Sequence, residues 1–287
     1  MAFTYIKPAS VGEALGLLGM KKTRLPVLAG GTDLFVQQRS GAIAPKGLMD
    51  ISALDELRGI SVEGSTLRIG VLTTHACIAM HDIVKARLPA LALACSTIGS
   101  IQVQNRGTIG GNVMNASPAG DTPPVLLVHE AEFVAKHLKG ERSIQARDFF
   151  AGYRKTALAP DELLAEIRIP LPDEAEVARF YKLGGRRAKA ISKISMAVTG
   201  RVAHGGIEWV RIALGSAGPT VVRARGTESL LAGQVMSAGL MDKARRSLAD
   251  ELKPIDDVRS TAAYRRYAAV GLLMKYLREA IALKAQG

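Results

Sequence analysis

Leu28-Ala29-Gly30-Gly31-Thr32-Asp33-Leu34 reads as the end of a short buried strand, a tight exit through two residues without Cβ, and the first turn of a helix. Such an exit lets successive backbone N–H groups converge on one anion, and the helix N-terminus behind it adds partial positive charge. Working outward, the strand covers residues 24–29 and the helix residues 33–39, which Gly41 stops. Upstream, Ser10 and Glu13 have capping-box spacing for a helix carrying Ala14, Leu15, Leu17 and Leu18. A returning strand is expected at residues 48–51, and the α/β alternation changes character near residue 57.

A second glycine loop, Thr108-Ile109-Gly110-Gly111-Asn112, has the same permissive backbone, with Thr108 and Asn112 offering side-chain donors beside it. It sits inside residues 104–124, which are so rich in Gly, Asn, Ser and Pro that a long irregular functional loop is expected. Around that loop, strands at residues 66–72, 132–137 and 163–169 and helices at 74–81 and 89–98 make a second, mixed lobe. A glycine pair alone more often marks a plain turn, as at residues 184–185 and 205–206; two in this context can grip one diphosphate. The chain contains no G-x-G and no G-x-x-x-x-G-K-[ST], which excludes the Rossmann fingerprint and the P-loop.

Pro170 and Pro172, followed by Asp173, Glu174 and Glu176, mark a domain boundary. Beyond it, strand patterns at residues 177–183, 194–202, 207–214 and 220–224 suggest an antiparallel meander, and residues 227–231, 240–252 and 260–283 read as helices. In the last helix Tyr264, Tyr267, Ala268, Gly271, Leu272, Met274 and Leu277 recur at helical spacing and are expected to form a core stripe.

The 287 residues leave room for one large domain or two ordinary ones, and 48% hydrophobic with 22% charged side chains is the composition of a packed globular protein. No apolar run approaches a membrane span, and Lys7 precedes any signal-peptide core, so the expected compartment is the cytoplasm. Cys77 and Cys95 cannot build a zinc cage or an iron-sulfur site, and His75, His81, His129, His137 and His204 show no metal-ligand spacing. The net charge of +12 divides as +3 over residues 1–172 and +9 over residues 173–287. With only 5% aromatics there is no interleaving of stacking side chains with the basic ones, which argues against nucleic acid and for an acidic protein partner or a solvated basic face.

Residues 28–34, then Asn105-Arg106-Gly107-Thr108-Ile109-Gly110-Gly111-Asn112, then Asn115-Ala116-Ser117-Pro118-Ala119-Gly120-Asp121-Thr122-Pro123-Pro124 resemble, in order, the FAD-binding medium subunit of molybdenum hydroxylases, the family of xanthine dehydrogenase and carbon monoxide dehydrogenase. Asp148-Phe149-Phe150-Ala151-Gly152-Tyr153-Arg154-Lys155-Thr156 and Pro254-Ile255-Asp256-Asp257-Val258-Arg259-Ser260, leading into Tyr264-Arg265-Arg266, are similar to further motifs of that family. The resemblance implies an α+β protein. A two-lobed FAD-binding domain of the vanillyl-alcohol oxidase (PCMH) type would fill residues 1–172, with lobes of about 1–56 and 57–172. A carbon monoxide dehydrogenase flavoprotein-like C-terminal domain, with a small antiparallel sheet and a helical bundle, would follow over 173–287.

By the same resemblance Val27, Leu28, Ala29, Gly30, Gly31, Thr32, Asp33 and Leu34 would wrap the diphosphate of FAD. Thr108, Gly111, Asn112, Asn115 and Ala116 would lie on the facing loop, with Ile109 packed against it. Pro118, Gly120 and Asp121 would shape the next turn, the Asp121 carboxylate either accepting from a sugar or ribityl hydroxyl or capping the turn before Pro123. Ile98, Ile101 and Leu164 would give apolar contacts, and Tyr181 and Lys182 would lie near the isoalloxazine, the ammonium stabilising negative charge at its polar edge. Gln104 stands where many relatives have arginine, and the two cysteines exclude the extra iron-sulfur cluster that some relatives carry. The implied role is an electron-transfer subunit between a [2Fe-2S] small subunit and an external acceptor, beside a molybdopterin-binding large subunit, in a dimer of heterotrimers. Two rivals stay open: a self-contained flavin oxidase of the same fold, and a basic binding module whose glycine loops are mere turns.

Overall fold

The computed structural model describes residues 3–20, 24–186, 188–203 and 206–284; His204 and Gly205, half of the fourth glycine pair, lie outside the described residues. The chain opens with β1 (Thr4–Ile6), α1 (Val11–Gly19), β2 (Val27–Leu28), α2 (Leu34–Arg39) and β3 (Gly47–Asp50). β3 runs parallel between β1 and β2, the helices making the crossovers that parallel strands require. Ser10 Oγ accepts from the Glu13 N–H at 3.1 Å while Glu13 reaches back to the Ala9 N–H at 2.7 Å, one residue earlier than in a strict capping box. β2 is shorter than the expected strand: Pro26 has no N–H with which to extend the ladder, and Gly30-Gly31 turn the chain away directly after Leu28.

The second lobe is an antiparallel sheet ordered β4 (Ile60–Glu63), β5 (Thr66–Gly70), β10 (Leu163–Pro170), β6 (Glu132–His137), β7 (Gly140–Gln145). β5 and the second half of β10 alternate in period two, while Phe133, Val134 and Ala135 of β6 are buried in succession. Leu67, Ile69, Phe133, Ala135 and Ile167 are buried, while Arg68 and Arg168 point the other way and pair with Glu166 at 2.8 and 2.6 Å. The buried face is covered by α3 (His75–Met80), α4 (Asp82–Arg87), α5 (Pro89–Ser96), α7 (Ile109–Met114) and α8 (Thr122–Val128), with α6 (Ile101–Arg106) packed outside on α3 and α5. After β7, α9 (Ala146–Phe149) leads into the small hairpin β8 (Phe150–Gly152) and β9 (Lys155–Thr156), anchored where the Phe149 ring meets Phe133 at 4.4 Å.

The expected irregular loop at residues 104–124 is therefore half helical. Its breakers act as helix starts: Thr108 caps α7, and Pro123 and Pro124 stand in the first turn of α8, where a missing N–H is tolerated.

The C-terminal region is the expected meander: β11 (Glu176–Leu183), β12 (Ile194–Ala203), β13 (Gly206–Gly215) and β14 (Val222–Arg223), with β15 (Gln234–Val235) pairing the start of β13. β14 is shorter than the pattern suggests. Three helices complete the region: α10 (Arg225–Leu231), α11 (Ala238–Glu251) and α12 (Ala262–Lys284). Ala178, Phe180, Ala197 and Ala213 join the N-terminal core across α5 and α8, while Ile194, Met196, Val198, Ile212 and Leu214 pack against α10–α12. Because both faces are covered, residues 194–200 are buried without alternation.

The core stripe of α12 is rotated from the expected one. Ala268, Leu272, Met274 and Leu277 are buried together with Ala269, Leu273 and Tyr276, but Tyr264 and Tyr267 are 43% and 80% exposed and Gly271 is exposed too. Small and aliphatic side chains at 268–269 and 272–273 supply two adjacent rows of the helical period, so the tyrosines one row further round are left at the surface. Among the described residues no helix is long and apolar enough to cross a membrane.

Candidate functional site

The two glycine loops touch. A Cβ on Gly30 would lie 2.0 Å from the Arg106 carbonyl oxygen and 3.1 Å from Gly107 Cα, so only glycine lets the exit of β2 seat against the turn between α6 and α7. Gly31 has φ +75°, a left-handed conformation that turns the chain into α2, where Phe35 N donates to Gly31 O at 3.2 Å. Among the described residues, no acceptor takes the backbone N–H of Gly30, Gly31, Thr32 or Asp33. The first turn of α7 differs. Ile109 N donates to Thr73 O and Gly110 N to Val71 O, both at 3.0 Å, and Gly111 N donates to Thr108 Oγ1 at 3.1 Å. The loops are thus unequal: the first presents free amides, and the second supplies the wall.

Side chains fix the rim. Gln37 donates to Asp33, and also to Asn115 Oδ1 at 3.3 Å; Arg154 Nη1 donates to the same Asn115 oxygen at 2.6 Å and lies 3.8 Å from the Asp33 carboxylate. Thr122 Oγ1 donates to Asn112 Oδ1 at 2.7 Å. Ala116, buried with φ 44°, and the bond from Gly120 N to Ser117 O at 3.0 Å shape the turn that carries Pro118. Arg154 and Gln37 are not among the expected site residues. The Asp148–Thr156 motif holds a signal for Arg154, since Phe149 anchors the β8–β9 hairpin that presents it.

Lys182 is brought to the same region from β11. Its ammonium donates to Asp121 Oδ2 at 2.6 Å and to Thr97 O at 2.8 Å, while Ser192 Oγ donates to Asp121 Oδ1 at 2.6 Å. Burial raises the Asp121 carboxyl above the usual carboxylate range, against the opposing pull of Lys182 and Ser192, and burial with the nearby Asp121 charge raises the Cys95 thiol. Tyr181, adjacent on the strand, faces the other way. Its hydroxyl donates to Glu279 Oε2 at 2.7 Å on α12, and Lys275 lies over its ring at 5.3 Å. Ser192 carries no signal in the sequence.

Of the expected apolar contacts, Leu164 is buried in the core, Ile98 is half-buried and Ile101 is exposed; Leu28 and Ile109, expected around the diphosphate, are buried, and Val27 and Ala29 are half-buried. Gln104 has a role of its own: Nε2 donates to Ser96 O at 2.7 Å and Ile98 O at 3.0 Å, closing the end of α5 beside the site. Cys77 is exposed, and among the described residues no group of three His, Cys, Asp or Glu side chains is placed to hold a metal.

His75 braces the wall from behind. Its N–H donates to Gly107 O at 3.0 Å, and burial depresses its imidazole from 6.5 to about 4. A histidine depressed on folding contributes stability that is complete above pH 6.5 and is lost as pH falls toward 4. At about 1.4 kcal/mol per unit this amounts to roughly 3 kcal/mol. His129 is buried and depressed to about 4 as well, so urea unfolding between pH 7 and 4.5 is expected to show a slope of which His75→Gln removes about half; an unchanged slope in the variant would refute the assignment.

Residues 1–172 match the family described as FAD binding domain in molybdopterin dehydrogenase, and residues 179–280 match the CO dehydrogenase flavoprotein C-terminal domain. The chain is 35% identical to the carbon monoxide dehydrogenase medium chain of Hydrogenophaga pseudoflava, over 97% of this chain and 96% of that one. It is 32% identical to the nicotinate dehydrogenase FAD-subunit of Eubacterium barkeri, over 95% and 94%. Among solved structures, carbon monoxide dehydrogenase from Hydrogenophaga pseudoflava superposes with a TM-score of 0.92 at 34% identity, covering 96% of each chain. Quinoline 2-oxidoreductase from Pseudomonas putida 86 superposes with a TM-score of 0.89 at 26% identity, covering 100% of this chain and 98% of that one. With the two-lobed N-terminal region, the meander and helices behind it, and the paired glycine loops all in place, the chain belongs to the FAD-binding medium subunits of the molybdenum hydroxylase family, the flavoproteins of carbon monoxide and xanthine dehydrogenases.

Proposed function

We propose that this chain carries FAD and serves as the electron-transfer subunit of a heteromeric molybdenum hydroxylase. It takes electrons from a [2Fe-2S] small subunit, beside a molybdopterin-binding large subunit, in a dimer of heterotrimers, and passes them to an external acceptor. The observation that carries this reading is the run of unengaged N–H groups from Gly30 to Asp33, seated against the α6–α7 turn by the close approach at Gly30. A diphosphate bridge fits that run, because adjacent anionic groups need several donors and the start of α2 adds favourable partial charge. When bound, FAD supplies exchange between two-electron and one-electron transfer.

The chain's own part is placement and field. Val27–Leu34 hold the bridge; Thr108, Gly111, Asn112, Asn115 and Ala116 flank it, with Ile109 and Leu164 as buried backing. Pro118, Gly120 and Asp121 form the adjoining turn, and Ile98 and Ile101 offer half-buried and exposed apolar surface for the rings. Lys182 brings a positive charge that Asp121 partly offsets, and Thr97 O fixes where that charge sits. Tyr181 acts from the far face of β11, steadying the strand through Glu279.

Gly111→Val tests the placement with little cost to the fold. Gly111 is exposed, and an added Cβ meets only Thr108 Oγ1, at 3.1 Å. The variant is expected to fold as the parent does and to bind FAD at least about tenfold more weakly, read from flavin absorbance per protein and by titration. Full flavin retention would contradict the placement.

A further inference from the structure

The motif at residues 254–266 forms a surface turn and the first turn of α12, yet one of its side chains is deeply buried. Arg265 is 4% exposed, a rare position for a guanidinium. Its Nη2 donates to Asp257 Oδ1 at 2.7 Å and its Nη1 to the Ser216 carbonyl at 3.2 Å. Asp257 closes the turn on itself, the same oxygen accepting from Arg259 N at 2.8 Å and Ser260 N at 3.1 Å, with Val258 fully exposed at the tip.

Ser216 follows β13 in the left-handed region, φ 60°, and is itself buried. A non-glycine residue holds that conformation only where its surroundings over-determine it. Here they do. The Ser216 N–H donates to Pro118 O at 2.6 Å, its Oγ donates to Ser192 O at 3.0 Å, and its carbonyl is the one Arg265 holds. Ser192 in turn donates to Asp121, and a Cβ on Gly215 would stand 3.2 Å from Pro118 O and 3.3 Å from Gly120 O. The turn at residues 118–121 is therefore backed, at Pro118, by a left-handed peptide that is clamped from behind by a guanidinium.

We infer that Arg265 is a positioning residue for the flavin site: through the Ser216 peptide it sets Pro118, and through Ser192 it sets the Asp121–Lys182 pair. The inference rests on the reading of residues 118–121 as part of that site. Arginine suits the task because its planar fork meets a carboxylate and a carbonyl at once, which a lysine ammonium on a flexible stem does not reproduce. Removing the fork leaves the Ser216 carbonyl buried without a partner and frees the peptide to leave the left-handed region, and Pro118 moves with it.

The test is FAD titration of the full chain, with the visible circular dichroism of the bound flavin recorded in parent, Arg265→Lys and Asp257→Asn. Asp257→Asn keeps the oxygen that closes the turn and lies near the surface, so it reports even if Arg265→Lys fails to fold. Both variants are expected to bind FAD more weakly, by about three- to tenfold, and to change the visible dichroism, with Arg265→Lys the larger. Folded variants that keep parental affinity and dichroism overturn the inference, and so does a lower melting temperature with an unchanged flavin spectrum. A parent chain that takes up no FAD overturns the flavin reading itself, and the inference falls with it.

Discussion

Gly30→Ala is expected to abolish flavin uptake. The new Cβ would sit 2.0 Å from the Arg106 carbonyl oxygen, so the backbone of one loop must retreat by about 1 Å or more to restore van der Waals contact. The obstacle is main chain on both sides, with no flexible side chain to swing away. Retreat moves the free amides of Gly30 to Asp33 off the wall that α6 and α7 provide. Loss of two bonds to an anion, at about 1.5 to 3 kcal/mol each, corresponds to at least ~100-fold in affinity. Gly239→Ala in α11 is the control, since a Cβ there meets nothing within 4 Å. The measurement is flavin absorbance per protein after saturation and gel filtration. A parental flavin content in Gly30→Ala would mean that the two loops do not form one site.

The second large effect is on stability. Lys182 and Asp121 have side chains 10% and 8% exposed, and each is the other's charge partner between the N-terminal region and the C-terminal sheet. Lys182→Met leaves a buried carboxylate with Ser192 alone, and removing one member of a buried pair costs about 3 to 5 kcal/mol. Asp121→Asn combined with Lys182→Met removes both charges while the side-chain amide oxygen still accepts from Ser192, and most of the loss is expected to return. Urea unfolding of the two single variants and the double variant decides it. A double variant no more stable than Lys182→Met would show that the pair's worth lies in something other than compensating buried charge.

Much of the fold can be read along the chain because its cues are local. Ser10 and Glu13 announce α1, Gly41 closes α2, and the alternation of β5 and the end of β10 marks two strands of the second sheet. The errors have physical reasons as well. Thr108, Pro123 and Pro124 read as marks of irregular chain, yet the same residues start helices when tertiary packing supplies the rest. In α12, neighbouring rows of the helical period compete, and packing against β12 chose the row through Ala269, Leu273 and Tyr276.

By itself the sequence determined the strand-and-helix outline of the first lobe, the meander and helices at the end, the two glycine loops and the family they belong to, since these depend on steric rules and spacings within a few residues. Only the tertiary structure decided which amides stay free and which charges meet. The acceptors that engage the start of α7 come from Val71 and Thr73, and Asp121 finds Lys182 61 residues further along the chain. Whether a buried donor or charge is satisfied depends on what packing brings to it from elsewhere in the chain, and no local pattern records that.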